Sequence, residues 1–592
     1  MKIPIVVCTY NKLVSPQKKN LHIKNPTTHF FLTWHKALMV TAHKKSGDID
    51  YSVVDPNNKW KILRHHWRYA LWALWTAMGS MMQGFDYTVG GQLLAMPAFK
   101  QQFGTLVDGD YIIRASIISA WSVLGLGLDL ITAIIITPII DRWGRKPFIA
   151  VAALISTGAV IIQQLSTEWR LQLVGRGLNG VAIGIMFTIS PLWIGETCRP
   201  ELRGFFLCCF NSSIVLGQFL MVVISEGSSH INGKWSYLTP FVTEYFFPAL
   251  YLAFFIWFPE SPYWLVKMGD NEKALRSLHR MYGIDDDEFY QFELKRLQAD
   301  VVSSDETQGS SSKNATSIWS QTAMLECFKG KNLKRTMTSI VVTSTQQLVG
   351  ASFVTGYVTY FLQLIGISQS FLVSVVLFVF MLMSTLASFP LVEIVGRRTM
   401  IVPAVFVLAL INLLIGIMGC ISNTVAAGWA ILVLIFLWAI IYQCSIGAVG
   451  FVLASEIATL HLRAATQGLV TVSNCVWGLV FQFTVPYMIN PDAGNLGGKT
   501  GFIFFGCALL ASIACYFLVP ETKGMSFEML DDLYANNVKP WNFKKVAAEK
   551  SALRNDTESQ SRGSLCRDTG LGKVEVQEIE MKSPSVDEKP SN

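Results

Sequence analysis

The sequence predicts an all-α membrane protein: twelve transmembrane helices in two pseudo-symmetric six-helix halves, joined by a helical loop outside the bilayer. Three observations carry that prediction. Only 15% of the 592 residues are charged and 51% are apolar, whereas a soluble domain carries about 25% charge. Residues 336–392 and 399–455 each run 57 positions without one Asp, Glu, Lys or Arg, room for two crossings of about 20 residues and a tight turn. Third, the chain repeats itself. Gly144-Arg145-Lys146 returns as Gly396-Arg397-Arg398, Glu196-x6-Arg203 as Glu456-x6-Arg463, and Pro259-Glu260-Ser261 as Pro520-Glu521-Thr522, at offsets of 252, 260 and 261. Halves related by an axis along the membrane normal are a transporter architecture, with the substrate site between them near the midplane.

The elements follow in order. Residues 1–66 form a polar N-terminal tail that turns basic from Lys59 to Arg68. Met1 to Cys8 is interrupted by Lys2 and Pro4 and lacks a small-residue cleavage site, so it does not read as a signal peptide. Met1 and Met39 both stand as candidate starts. The first half, 67–258, holds spans at about 69–92, 115–140, 147–167, 171–193, 204–225 and 236–258. A loop over 259–335 carries eleven Lys and Arg, helix-like stretches at Asn271–Met281 and Glu288–Ala299, and a Ser-rich linker. The second half, 336–520, holds spans at about 336–364, 369–394, 399–420, 428–455, 464–490 and 501–520. Residues 521–592 begin with a helical piece and continue as a Ser-, Lys- and Glu-rich tail whose composition predicts disorder.

Basic residues set the orientation. Arg142, Arg145, Lys146, Arg199, Arg203, Arg397, Arg398 and Arg463 occupy short loops on one side, with the basic central loop. That side is predicted to be cytoplasmic, with both termini on it, and the net charge of +7 is accounted for without nucleic acid. The sequons at Asn314 and Asn555 then lie inside the cell. Eleven cysteines without a CxxC pair, mostly in apolar runs, read as buried thiols.

Several motifs resemble one family. Asp141-Arg-Trp-Gly-Arg-Lys, Arg176-Gly-x-Asn-Gly-x3-Gly184, Pro259-Glu-Ser-Pro-Tyr-Trp, Gln346-Gln-Leu-x-Gly350, Val395-Gly-Arg-Arg398, Ser455-Glu456-Ile-x5-Arg463 and Pro520-Glu-Thr-Lys-Gly524 stand in the order found in the sugar porter family of the major facilitator superfamily. The resemblance covers about residues 67–535. The long tails resemble fungal members, particularly α-glucoside (maltose-type) permeases. The resemblance implies the major facilitator fold and a multi-pass protein of the plasma membrane that imports a sugar. Its driving force would be the proton gradient, with no bound cofactor.

Two charge sets stand out. Arg145, Glu196 and Arg203 in the first half, and Arg397, Glu456 and Arg463 in the second, place guanidiniums near carboxylates at the cytoplasmic ends of spans. Arg–carboxylate pairs are directional contacts, and the resemblance implies that these close a cytoplasmic gate. The bland alternative is that the basic residues only fix topology. Asp86 is different, because an acid inside a span is a functional hypothesis by default. At 1.5 Å per residue, Asp86 and Arg176 fall at similar depth in the outer half of the bilayer. The resemblance implies that they pair and that Asp86 carries the coupled proton; a permanent ion pair that orients helices is the rival. Asp129 and Glu244 are further intramembrane acids without an evident partner.

Sugars need amides for hydrogen bonds and aromatic rings for stacking. The resemblance makes Gln346 and Gln347 sugar ligands, with Tyr357, Asn474 and Asn211 beside them. Gly350 and Gly356 could break the helix that carries them. The chain departs from hexose carriers at three places: Ser352 stands for a usual Asn, Phe451 for a Trp, and Asn211 for a Gln. Shorter groups leave room, which favours a disaccharide. A hexose carrier, by symport or facilitation, and a sugar sensor that does not transport remain the alternatives.

Gly498-Lys499-Thr500 lacks the leading glycine of a phosphate loop, Ala493 standing there, and no strand precedes it, so ATP is not expected as a partner. No metal-ligand spacing or nucleophile elbow appears, which leaves a membrane enzyme without support.

Overall fold

The computed structural model describes residues 63–550, except 108, 285, 309–325, 368, 422–424, 460–461, 524 and 526. The two candidate starts, both sequons, the Ser-rich linker and the C-terminal tail beyond 550 lie outside the described residues. So do the side chains of Arg203 and Arg463, although both residues sit in helices.

Apolar runs of crossing length become helices because a bilayer leaves backbone N–H and C=O groups no other partner. The first half consists of α1 (Trp67–Ala95), α3 (Ala115–Trp143), α4 (Lys146–Leu165), α5 (Trp169–Thr197), α6 (Pro200–Ser229) and a sixth rod. That rod is broken at Tyr245 into α7 (Trp235–Glu244) and α8 (Phe246–Phe254). The connecting loop folds as α9 (Pro262–Lys267), α10 (Asn271–Tyr282) and α11 (Asp287–Gln308). Asp270 caps α10 by accepting from the Lys273 N–H, and Gly283 ends it in the left-handed region.

The second half begins with a rod split into α12 (Gly330–Leu348) and α13 (Ala351–Leu364). It continues with α14 (Ser370–Val395), α15 (Arg397–Met418), α16 (Val425–Tyr442) running through a π turn into α17 (Ala448–Ile457), α18 (Arg463–Ile489) and α19 (Thr500–Leu518). The twelve rods follow the expected spans within a few residues. Among the described residues nine are long and apolar enough to cross a membrane. The other three are α1, diluted by Gly, Ser, Gln and Asp86, and the two broken rods.

The packing is doubly related. Within the first half α1 lies on α6 and α3 on α5; between halves α3 lies on α18, α6 on α14, and α1 on α13. Those cross-contacts pair span two with eleven and span five with eight, partners that exchange when one half is laid on the other. With an even number of rods, Leu63 and Lys550 share one end of the bundle with α9–α11, called the terminal end below.

The opposite, far end holds elements without a sequence signal: a short helix α2 (Pro97–Phe103) and a hairpin of β1 (Thr105–Val107) and β2 (Asp110–Ile112). Around them the halves are tied together. Gln92 Nε2 donates to Thr359 Oγ1 (2.7 Å), Lys100 Nζ to Gln363 Oε1 (2.8 Å), and Ser119 Oγ to the Phe483 carbonyl (2.8 Å). Asp492 takes the N–H of Ala115 at the start of α3 (3.0 Å), and Asn490 donates to the Ile113 carbonyl (2.8 Å).

Candidate functional site: a central cavity and its collars

Each half carries a collar at the terminal end. Gly144 and Gly396 leave their helices at φ +91° and +103°, a region that costs other residues energy. A Cβ there would meet Glu260 Oε2 or Glu521 Oε2 at 2.7 Å. The carboxylates sit over the starts of α4 and α15, where unpaired N–H groups attract anions. Glu260 accepts from the N–H of Arg145 (3.1 Å), Lys146 (3.0 Å) and Ser261 (2.9 Å). Glu521 accepts from Arg397 (3.0 Å), Arg398 (3.2 Å) and Thr522 (3.1 Å). Sequence reasoning used both acids only as markers of the repeat.

The collar arginines then reach the motif glutamates. Arg145 Nη2 donates to Glu196 Oε1 and to Asp141 Oδ1 (3.1 Å), and Arg397 Nη2 donates to Glu456 Oε1 (2.8 Å). Each pair joins helices of a single half. The side chains of Arg203 and Arg463, the other members of the expected gate, lie outside the described residues.

In the middle of the bundle Asp86 and Arg176 are in contact, Arg176 Nη1 donating to Asp86 Oδ1 at 2.7 Å. Asn179, one turn further along α5, donates to the same oxygen (3.0 Å) and to Glu244 Oε1 (2.6 Å). Glu244, without a partner in the sequence, thus joins Asp86 through one amide. Asp129 accepts from Gln83 Nε2 (3.3 Å), one turn before Asp86 on α1. Gln83, Asp86, Asp129 and Arg176 line a polar chamber together with Tyr87, Tyr357 and Gln482.

Beside it, toward the terminal end, lies a larger cavity enclosing about 940 Å³, mouth included. Gln346, Gln347, Asn474, Asn211 and Phe451 all line it. Their amides are cross-linked. Asn474 Nδ2 donates to Gln346 Oε1 (2.9 Å), Gln347 Nε2 donates to Asn474 Oδ1 (3.3 Å), and Gln346 Nε2 reaches the Ile446 carbonyl in the π turn (2.9 Å). Asn211 Nδ2 is buried and has no hydrogen-bond partner among the described residues. Gly350, at φ +100°, breaks the rod just past the glutamines, and the freed Val349 carbonyl accepts from Asn412 Nδ2 and Trp438 Nε1, both at 3.0 Å.

Two expected ligands stand elsewhere. Ser352 is fully buried, donating to Gln347 Oε1 (2.7 Å) and bonded to the Tyr87 hydroxyl (2.9 Å), so it positions a glutamine and does not line the cavity. Tyr357 lines the polar chamber instead, its hydroxyl 2.9 Å from Ser122 Oγ. Sequence reasoning missed Gln83, Gln218 and Gln443, all on the larger cavity's wall. Their signal was available: an amide inside an apolar span is costly unless it has a partner, and Gln83 and Gln218 lie one and two turns from Asp86 and Asn211.

The profile of the family described as sugar (and other) transporters matches residues 72–534. The chain belongs to this family. Among its relatives, the major facilitator-type transporter ecdD of Aspergillus rugulosus is 27% identical over 538 residues, covering 87% of this chain and 96% of its own. The low-affinity glucose transporter HXT3 of Saccharomyces cerevisiae is 27% identical over 482 residues, covering 78% and 82%. The inward-open xylose transporter XylE of E. coli superposes with a TM-score of 0.62 at 18% identity, over 78% of this chain and 99% of that one. The fold is therefore the major facilitator fold, and the protein is a multi-pass membrane transporter of the sugar (and other) transporter family, a family and fold of transporters and not of enzymes.

Proposed function

We propose that the chain imports an α-glucoside such as maltose by proton symport with alternating access, at the plasma membrane and with the terminal end facing the cytoplasm. The observation that carries this reading is the Asp86–Arg176 ion pair, on the wall of a chamber next to an amide-lined cavity. A proton taken by Asp86 cancels its attraction for Arg176 and frees that helix contact. The loaded carrier then reorients, and release of the proton to the cytoplasm restores the pair. Gln346, Gln347, Asn474 and the Asn211 amide offer donors and acceptors to sugar hydroxyls, while Phe451 offers a ring face. The ties at the far end and the position of the cavity toward the terminal end support a state closed to the outside. The space left by Asn211 and Phe451 supports a disaccharide.

The test is uptake of radiolabelled maltose and glucose in a carrier-null host, with and without a protonophore. Accumulation of maltose that the protonophore abolishes is expected; accumulation that survives it sinks the symport reading. A second reading, a hexose carrier, is favoured by the similarity to a protein named a glucose transporter. Glucose uptake that excess maltose leaves untouched would select it.

A further inference from the structure

The segment after the last rod does not leave the bundle. Helix α20 (Phe527–Ala535) packs at the terminal end, where Arg335 at the base of α12 bonds Asp531 and lies 4.5 Å over the Tyr534 ring. The chain turns through Pro540–Asn542 into a helical stretch over 543–550. One side of that stretch is inward: Phe543 is fully buried against Tyr534, 5.2 Å between rings, and Ala547 is buried beside it. The other side presents Lys544 and Lys545, both exposed.

Trp541 fixes where this stretch lies. Its ring stacks at 6.4 Å on Tyr516 and meets Phe517 edge-on at 6.2 Å. Both are about half exposed on the flank of α19, the surface that faces lipid. A half-exposed Trp on that flank, at the end of a span, sits where the headgroups begin. Cations surround it. Lys539 Nζ lies 5.4 Å over the Trp541 ring, and the Arg398 guanidinium lies 5.6 Å over Tyr516. Of the nearby acids, Asp531 pairs with Arg335 and Asp532 with Lys550, which leaves Glu549, one turn beyond Lys545, as the exposed carboxylate on the stretch. Among the described residues no carboxylate comes within 4 Å of Lys539, Lys544 or Lys545.

We propose that Trp541 and the cations around it form a docking site for anionic phospholipid headgroups, which lays the post-span segment on the membrane surface. A row of lysines free of carboxylate partners among the described residues and anchored by an aromatic ring at headgroup depth matches a negatively charged leaflet. Placing that surface in the cytoplasmic leaflet rests on the orientation proposed above; the lipid contact itself does not depend on the sugar or the proton.

The experiment counts lipids retained by the purified full-length carrier in native mass spectrometry, with phosphatidylserine and phosphatidylcholine offered together. The wild type should retain phosphatidylserine in preference. That preference should fall about fivefold for each lysine removed in the series Lys539→Gln, Lys544→Gln, Lys545→Gln, and should survive Lys499→Gln at the far end. Trp541→Ala should lower retention of both lipids. Unchanged preference in the triple variant overturns the proposal, as does displacement of the lipid by millimolar inorganic phosphate, which marks a soluble-anion site. A melting temperature in detergent equal to the wild type's shows that the triple variant is folded. A C-terminal tag readable only from outside the cell overturns the choice of leaflet separately.

Discussion

In the first half Glu260 closes over Gly144 and takes the leading N–H groups of α4; in the second, Glu521 does the same over Gly396 and α15. The halves part company at the centre. Span one brings Gln83, Asp86 and Tyr87 to face Arg176, whereas span seven, its counterpart, brings Gln346 and Gln347 to face Asn474. What is duplicated is the frame, and what differs is the chemistry: Asp86, Asp129 and Arg176 all belong to the first half, whereas the second half brings to the centre only neutral groups, whose amides share the larger cavity with Gln83, Asn211 and Gln218 of the first.

The sharpest way to break this contrast is Asp86→Asn. It should abolish uphill accumulation while leaving exchange of sugar across the membrane, measured with preloaded vesicles; retained accumulation would remove the ionisable half from coupling. Next comes Gln346→Ala, which takes hydrogen bonds from a neutral ligand and should raise the KM for uptake roughly 10- to 100-fold without changing the dependence on a protonophore. The frame is tested by Glu260→Ala against Glu521→Ala. Each orphans several backbone N–H groups and should cost about 3 kcal/mol in detergent unfolding, equally in both halves; a gap above about 1 kcal/mol would show that the collars are not equivalent.

The smallest effect belongs to the terminal end of the first half alone. His66 is fully buried, its ring 4.9 Å from Tyr282 and 5.4 Å from Phe289. Burial first, then Arg199 and His65, lower its pKa to about 3. Between about pH 6.5 and 3 the unfolded chain binds a proton that the folded chain refuses, so stability falls as pH drops through that window. At pH 5 the loss should be about 2 kcal/mol relative to neutral pH, and His66→Phe should remove it from the melting curves.

The sequence was informative wherever the bilayer acts on composition. Charge-poor apolar runs located all twelve rods, and the repeat located the collars, because both features are one-dimensional. Counting along the helices gave Asp86 and Arg176 similar depth, and the family resemblance supplied their pairing. The breaks divide: Gly350 interrupts span seven as expected, whereas Gly356 lies inside the unbroken α13. Span six breaks at Tyr245 because Pro248 has no N–H for the Glu244 carbonyl and its ring crowds it, a signal the sequence held. Asn179 is an amide in a span with no spacing rule to aim it, so its link between Asp86 and Glu244 appears only when α1, α5 and α7 are packed. Ser352 shows the reverse case. Its sequence position was that of a ligand, yet packing turned its hydroxyl to Gln347 and Tyr87. The hairpin β1–β2 is too short to leave an alternating pattern.

The seam at Gly350 assigns the two pieces of span seven to different mechanical bodies. The Val349 carbonyl, gripped by Asn412 and Trp438, welds the terminal-end piece α12 to its own half. The far-end piece α13 holds the other half through Ser352, Thr359 and Gln363. In a reversal of the carrier, α13 is the clutch plate, covalently part of one body and engaged with the other. Disengaging it means breaking several hydrogen bonds together in a region shielded from water. The barrier should be largely enthalpic, so turnover should fall steeply on cooling even where affinity for the sugar scarcely changes.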